Sequence, residues 1–148
     1  MSNQKIIPSL WFTGVEGNMS SLLEYYKNIF GNKFEEEQIT AIGHTPSGLI
    51  ELCDVKIFGL KYSFMVSEIE HHPLNDAFSL TIICDNQTEI DKYWNYFTHE
   101  GEESQCGWCI DKYNLRWQII PKNLNELMSK PNGWEVMMNQ KKIVIEEY

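Results

Sequence analysis

Residues 22–31, LLEYYKNIFG, and residues 90–101, IDKYWNYFTHEG, decide the fold of this chain. In the first stretch Leu22, Tyr25, Tyr26 and Ile29 stand at i, i+3, i+4 and i+7; Ile90, Tyr93, Trp94 and Phe97 repeat that spacing 68 residues later. This is the apolar stripe of an amphipathic helix lying on a core. Gly31 and Gly101 end the two stretches, at the place where a glycine commonly caps a helix. The surroundings repeat as well. Ser9-Leu-Trp-Phe12 precedes the first stretch and Ser79-Leu-Thr-Ile82 the second, each followed by a polar turn, and acidic segments, Phe34-Glu-Glu-Glu-Gln38 and Glu102-Glu-Ser-Gln105, follow the glycines. One order of elements occurring twice at a near-constant offset reads as a duplicated unit.

The remaining apolar runs complete each copy as strands. They are expected over about 34–41, 49–58 and 60–66 in the first half, the last two joined by a tight turn at Gly59. In the second half they are expected over about 77–84, 102–106, 108–111 and 115–120. Each half is thus βαβββ, spanning about 5–66 and 77–121, with Glu70-His-His-Pro-Leu-Asn-Asp76 as linker. A tail follows, with short helices over 123–129 and 133–139 and an extended or strand-like run over 142–146. The fold class expected is α+β, in a single domain of two tandem units.

The chain has 148 residues and a net charge of −9, with a pI near 4.9. Its acidic residues are spread along the chain, a field that repels phosphate backbones and anionic lipid, so neither nucleic acid nor membrane is an expected partner. No apolar run approaches the roughly 18–20 residues that span a bilayer. The N-terminal MSNQKIIPSLWF carries one lysine and no small-residue cleavage site, and is not expected to be a signal peptide. The four cysteines, Cys53, Cys84, Cys106 and Cys109, then read as reduced thiols of a cytoplasmic protein. Five Trp, seven Tyr and seven Phe are more aromatics than a core of this size needs; pockets and subunit interfaces are their usual homes.

Ile7-Pro-Ser-Leu-Trp-Phe12, Leu23-Glu-Tyr-Tyr-Lys-Asn-Ile-Phe-Gly31, and above all Gln105-Cys-Gly-Trp108 followed by Asp111-Lys112 and Trp117-Gln118, carry a family resemblance. Over about residues 5–145 the chain resembles the PhnB-like proteins of the vicinal-oxygen-chelate (glyoxalase/bleomycin resistance/dioxygenase) superfamily, some of which carry a 3-demethylubiquinone-9 3-methyltransferase label. The resemblance implies two βαβββ units curving as mixed sheets around a cavity, in a homodimer. No glycine-rich strand-to-helix turn of a doubly wound sheet stands ready to hold a methyl-donor nucleotide, so no cofactor is expected.

Metal-dependent members of the superfamily hold a divalent ion with His or Glu from the first and last strands of each unit. The resemblance places those positions at Pro8, Met65 or a neighbour, Ser79 and Gln118, and proline, methionine, serine and a neutral glutamine do not suit such an ion. His44, His71, His72 and His99 fall in predicted turns, the linker and a helix end. No metal is therefore expected. Adjacent His71-His72 in a proline-containing linker reads as solvated chain.

Cys106-Gly-Trp-Cys109 matches the CxxC pattern, but a redox pair needs its first thiolate at a helix N-terminus and a zinc site needs a second pair of ligands. The segment reads instead as a strand and tight turn. In the strand after it, alternation puts Leu115, Trp117 and Ile119 on one face and Arg116, Gln118 and Ile120 on the other. The resemblance assigns the Arg116/Gln118 face to the cavity, where Gln118 could instead be an amide paired with its neighbours. Ser9 and Trp11 share a face of the first strand, and Trp11 and Trp108 are the aromatic wall candidates. Tyr25, Tyr93 and Trp94 read as core. Trp134, Met137 and Met138 read as a tail folded over a cavity mouth or a dimer seam. The candidate ligand-binding residues are Ser9, Trp11, Met65, Ser79, Cys106, Trp108, Arg116 and Gln118. The function expected is small-molecule binding by a homodimer, without metal. The alternatives are a lyase, isomerase or dioxygenase-like enzyme using an ion held elsewhere or a Cys or carboxylate, and an interaction module.

Overall fold

A computed structural model describes residues 3–15 and 18–148. The chain divides into two compact units, Met1–Pro73 and Leu74–Tyr148. The first contains β1 (Ser9–Phe12), α1 (Met19–Phe30), a 3-10 turn (Gly31–Lys33), β2 (Phe34–Glu36), β3 (Thr40–Thr45), β4 (Gly48–Ile57) and β5 (Leu60–Ser67). The second contains β6 (Ser79–Cys84), α2 (Gln87–His99), β7 (Glu102–Glu103), β8 (Trp108–Ile110), β9 (Arg116–Pro121), α3 (Leu124–Met128), α4 (Gly133–Asn139) and a 3-10 turn (Ile145–Glu147).

Each unit holds one mixed sheet. In the first, β1 runs parallel to β5, β5 antiparallel to β4, and both β2 and β3 pair with the far edge of β4. In the second, β6 runs parallel to β9, and β8 and β7 continue antiparallel. First and last strands thus lie side by side in both units, and a parallel pair requires the helical crossover that α1 and α2 supply.

The two stripes do what their spacing dictates. Leu22, Tyr26, Ile90, Trp94 and Phe97 are all at most 2% exposed. Tyr26 meets Phe12 and Phe64, with ring centroids 6.2 and 6.0 Å apart. Phe97 stacks on Trp117 at 4.6 Å and 8°. Burying each such side chain is worth about 1.5–3 kcal/mol, more than any polar contact nearby. Asn18 caps α1 by accepting from the Ser21 amide, and Asn86 caps α2 by accepting from that of Glu89. The Glu51 carboxylate on β4 accepts from the Met19 amide and satisfies a further donor of the α1 terminus.

Several expectations are corrected. The run 34–41 is not one strand but β2 and β3 on the same edge of β4, broken at 37–39, where the Cys53 thiol donates to the Glu37 carbonyl. His44 belongs to β3 rather than to a turn, at an irregular step in the pairing, with φ of 59°. β6 begins at Ser79, because Asn75 accepts from the Ala77 amide and holds 75–78 as a turn. β7 is only Glu102–Glu103, and 142–146 forms no strand and ends in the 3-10 turn. Gly31 and Gly101 are also not equivalent. Gly31 has φ of 56° with open space beside it, a conformational requirement. Glu100 is the α2 cap, and Gly101 is required by close packing, since a Cβ there would lie 1.9 Å from the Ile110 carbonyl oxygen.

The tail is latched to the second sheet. The Cys106 and Gly107 amides donate to the Gln140 and Lys141 carbonyls, both at 2.8 Å. The Gln87 side chain donates to the Ile143 carbonyl and accepts from the Ile145 amide, both at 2.9 Å. Ile143 is fully buried. Trp134 and Met138 are exposed, whereas Met137 is buried.

Candidate functional site

In each sheet buried side chains alternate with half-buried or exposed ones, and the candidate residues lie on the less buried face. In the first unit, strand alternation puts Ser9, Trp11, Met65 and Leu52 opposite the buried Leu10, Phe12, Phe64 and Cys53. Trp11 is paired with Met65, and Met65 with Leu52, so the three side chains form one row across three strands. In the second unit, Thr81, Gln118 and Trp108 form the matching row. Ser79 and Arg116 are paired beside it.

The pairing puts Gln118 where the first unit has Met65, and Ser79 where it has Ser9. Pro8, the position implied for a metal ligand on the first strand, is one residue off this register. It precedes β1, and its carbonyl accepts from the Ser63 amide. The corrected set is therefore Ser9, Met65, Ser79 and Gln118. Two hydroxyls, a soft thioether and a neutral amide do not fit the hard or borderline divalent ion of metal-dependent relatives. Among the described residues, no three His, Cys, Asp or Glu side chains gather where they could hold an ion.

Most polar groups on these faces are already engaged. The Gln118 amide donates to the Ser79 hydroxyl at 2.9 Å, leaving its carbonyl oxygen as an acceptor. Arg116 is a clamp: its Nε donates to Asp76 at 2.9 Å, and its Nη1 to the Leu74 and Asn114 carbonyls and to the Asn114 side chain. The Trp11 indole N–H donates to the Ser67 hydroxyl at 2.9 Å, and that hydroxyl donates to the Ile69 carbonyl. His71, expected as solvated linker, is exposed, and it also lies 5.1 Å from the Trp11 ring and 2.5 Å from the Ser47 hydroxyl. Nothing local in the sequence signals that contact, because it joins positions brought together only by the sheet. Leu52 and Thr81 were also missed, although register from Met65 and alternation from Ser79 would have found them.

The segment 105–108 is a two-residue hairpin turn. Trp108 N–H donates to the Gln105 carbonyl, and Cys106 and Gly107 have φ of 58° and 83°. Both central residues being left-handed matches the turn type that suits strand twist. Cys106 is half-buried in this turn, while Cys109 faces the core and is fully buried. Burial, with Asp111 and Glu103 adding to it, pushes the Cys109 thiol up to about 12, the opposite of an activated redox thiol. Asp111 is structural. Its Oδ1 accepts from the Tyr113 and Leu115 amides, and its Oδ2 from the Trp117 indole at 2.8 Å. A cleft of about 690 Å³ lies elsewhere, at the start of α2, and none of the candidate residues lines it.

The family model described as 3-demethylubiquinone-9 3-methyltransferase matches residues 4–120. No curated protein matches the sequence. Among solved structures, a putative 3-demethylubiquinone-9 3-methyltransferase, PhnB protein, from Bacillus cereus aligns with a TM-score of 0.66 and 22% identity, covering 80% of this chain and 99% of that one. The fosfomycin resistance protein FosX from Listeria monocytogenes aligns with a TM-score of 0.57 and 16% identity over 88% of this chain and 100% of that one; another of its structures is a complex with Mn(II) and sulfate. Glyoxalase I of Leishmania major aligns with a TM-score of 0.51 and 10% identity over 89% and 97%. At these identities the alignments show the fold, which is the glyoxalase, or vicinal-oxygen-chelate, fold. The match over 4–120 shows the family: the chain belongs to the PhnB-like family described as 3-demethylubiquinone-9 3-methyltransferase.

Proposed function

We propose that this protein binds a small, partly apolar molecule on the less buried sheet faces without using a metal ion, and that it does so as a cytoplasmic homodimer, each chain a single domain of two tandem units. The observation that carries the reading is the pair of rows Trp11–Met65–Leu52 and Thr81–Gln118–Trp108. Each sets a large aromatic beside the position where metal-dependent relatives keep a ligand to the ion, and each replaces that ligand with a side chain suited to contact an organic molecule directly. A tryptophan supplies a rigid apolar wall, and Gln118 keeps one acceptor for a hydrogen-bonding group. The mixed sheets, each with a single parallel pair, favour this reading over methyl transfer from a nucleotide-like donor. The fosfomycin resistance proteins on this fold are named for a small molecule, which supports a ligand of that size.

The test is a thermal-shift screen of a small-molecule library, with hits re-measured on Trp108→Ala and Gln118→Ala. Removing the Trp108 wall should weaken a hit by about 1–3 kcal/mol. Removing the Gln118 amide should cost about 1 kcal/mol and change selectivity among hydrogen-bonding hits. Lower melting temperatures with unchanged affinity in both variants would make these residues core and reject the assignment.

A further inference from the structure

The family match ends at residue 120, and the segment beyond it builds a cleft within the second unit. The cleft encloses about 690 Å³, inside the range of about 300–1,000 Å³ usual for small-molecule sites. The tail supplies its apolar lining, Val144 and Ile145. Two acid–base pairs border it, Asp85 with Lys122 at 3.7 Å and Asp91 with Lys142 at 2.9 Å. Gln87 sets the geometry, with both ends of its amide fixed to the tail backbone. The same side chain donates to Asp91 Oδ1; that bond, with the Lys142 ammonium, holds the Asp91 carboxyl below its ordinary range. Asn123 also lines the cleft, at the cap position of α3, and makes no capping bond with its side chain. At the start of α2 the Asn86 side chain already accepts from the Glu89 amide.

We propose that this cleft is a second small-molecule site, separate from the sheet faces, and that it takes an amphipathic zwitterion of amino-acid type. The ammonium exchanges into the partnership of Asp85 and Asp91, the carboxylate into that of Lys122 and Lys142, and the apolar group lies on Val144 and Ile145. Charge decides the class. A simple anion would face three carboxylates, Asp85, Asp91 and Glu146, and a simple cation two ammonium groups, Lys122 and Lys142, whereas a zwitterion satisfies both signs. Opening the Asp85–Lys122 pair costs little, because the two side chains are 73% and 63% exposed and ion pairs that open to water hold little stability; the Asp91–Lys142 pair, at 2.9 Å and less exposed, is the one the ligand must match.

The test is an amide-shift NMR titration of the full chain with L-phenylalanine, 3-phenylpropionate and 2-phenylethylamine. The expected result is saturable shifts gathered at Gln87, Asn123 and Ile145, with L-phenylalanine bound about ten-fold or more tightly than either singly charged analogue. Lys142→Gln should weaken L-phenylalanine about ten-fold. Should that change loosen the tail, Lys122→Gln, at a more exposed position, should weaken it in the same direction with the tail amides unshifted. Equal affinity for the three probes, shifts centred on Trp108 and Gln118, no saturable shifts, or undiminished binding by both lysine variants would overturn the proposal.

Discussion

At Cys109 the surroundings decide what the thiol can do. CxxC spacing invites a redox reading, yet the turn at Cys106-Gly107 sends Cys109 into the core beneath α2, and its thiol rises to about 12. Cys84, also fully buried, rises to about 12 for the same reason, with Glu89 and Asp85 adding to it. A thiol whose folded pKa lies above its ordinary value of 9.0 favours the folded state most below that value. That contribution is lost as pH rises from about 9 towards 12, so denaturant midpoints should fall over this window, and Cys109→Ala should flatten the fall. Alkylation of the native protein by iodoacetamide at about pH 8 should label Cys106 first, with Cys53, Cys84 and Cys109 protected, because only the thiolate reacts and only Cys106 is not fully buried. Mass spectrometry of the modified peptides reads the order, and labelling of Cys109 as fast as Cys106 would contradict the placement.

At the scale of elements, the caps and turns carry separate, measurable contributions. Asn86→Ala removes the acceptor of the Glu89 amide and should cost about 1 kcal/mol of stability, seen as a shifted denaturant midpoint with unchanged slope. Ile143→Ala should cost about 2–5 kcal/mol and raise hydrogen exchange at the Gly107 amide, whose acceptor Lys141 sits in the same latch. The helices and most strands were legible because they are local: an apolar stripe at 3.6 residues, or alternation at two, appears in one short window. Glu37 to Ile39 was not legible as a break, because it depends on Cys53 reaching across from β4. Gly101 was legible as a glycine position but not for its reason, which is the nearness of the Ile110 carbonyl on another strand. In the candidate site, alternation grouped Arg116 with Gln118 and Ser9 with Trp11. It could not show that Arg116 is tied to Asp76 and Leu74, or that His71 lies beside Trp11. The cleft at the start of α2 escaped as well, since the tail that forms it comes back over more than fifty residues to meet Gln87.

For the whole molecule, assembly and ligand chemistry are the quantities that matter. Ile83 on β6 and Trp134 on α4 are each 67% exposed, and Phe78 is 41% exposed; the homodimer proposed above is tested by mass. Light scattering should give twice the chain mass of 17.4 kDa; a monomer at every concentration would reject the dimer. No described helix is long and apolar enough to cross a membrane. On the reading proposed above, side chains suited to contact an organic ligand directly stand where metal-dependent relatives hold an ion. Ser9, Met65, Ser79 and Gln118 offer no carboxylate and no imidazole. Titration of the untagged protein with Mn(II), followed by the loss of the free-ion paramagnetic resonance signal, tests this most directly. The free-ion signal should grow in step with added Mn(II), with no saturable uptake. Uptake of one Mn(II) per chain, abolished by Gln118→Ala, would contradict it.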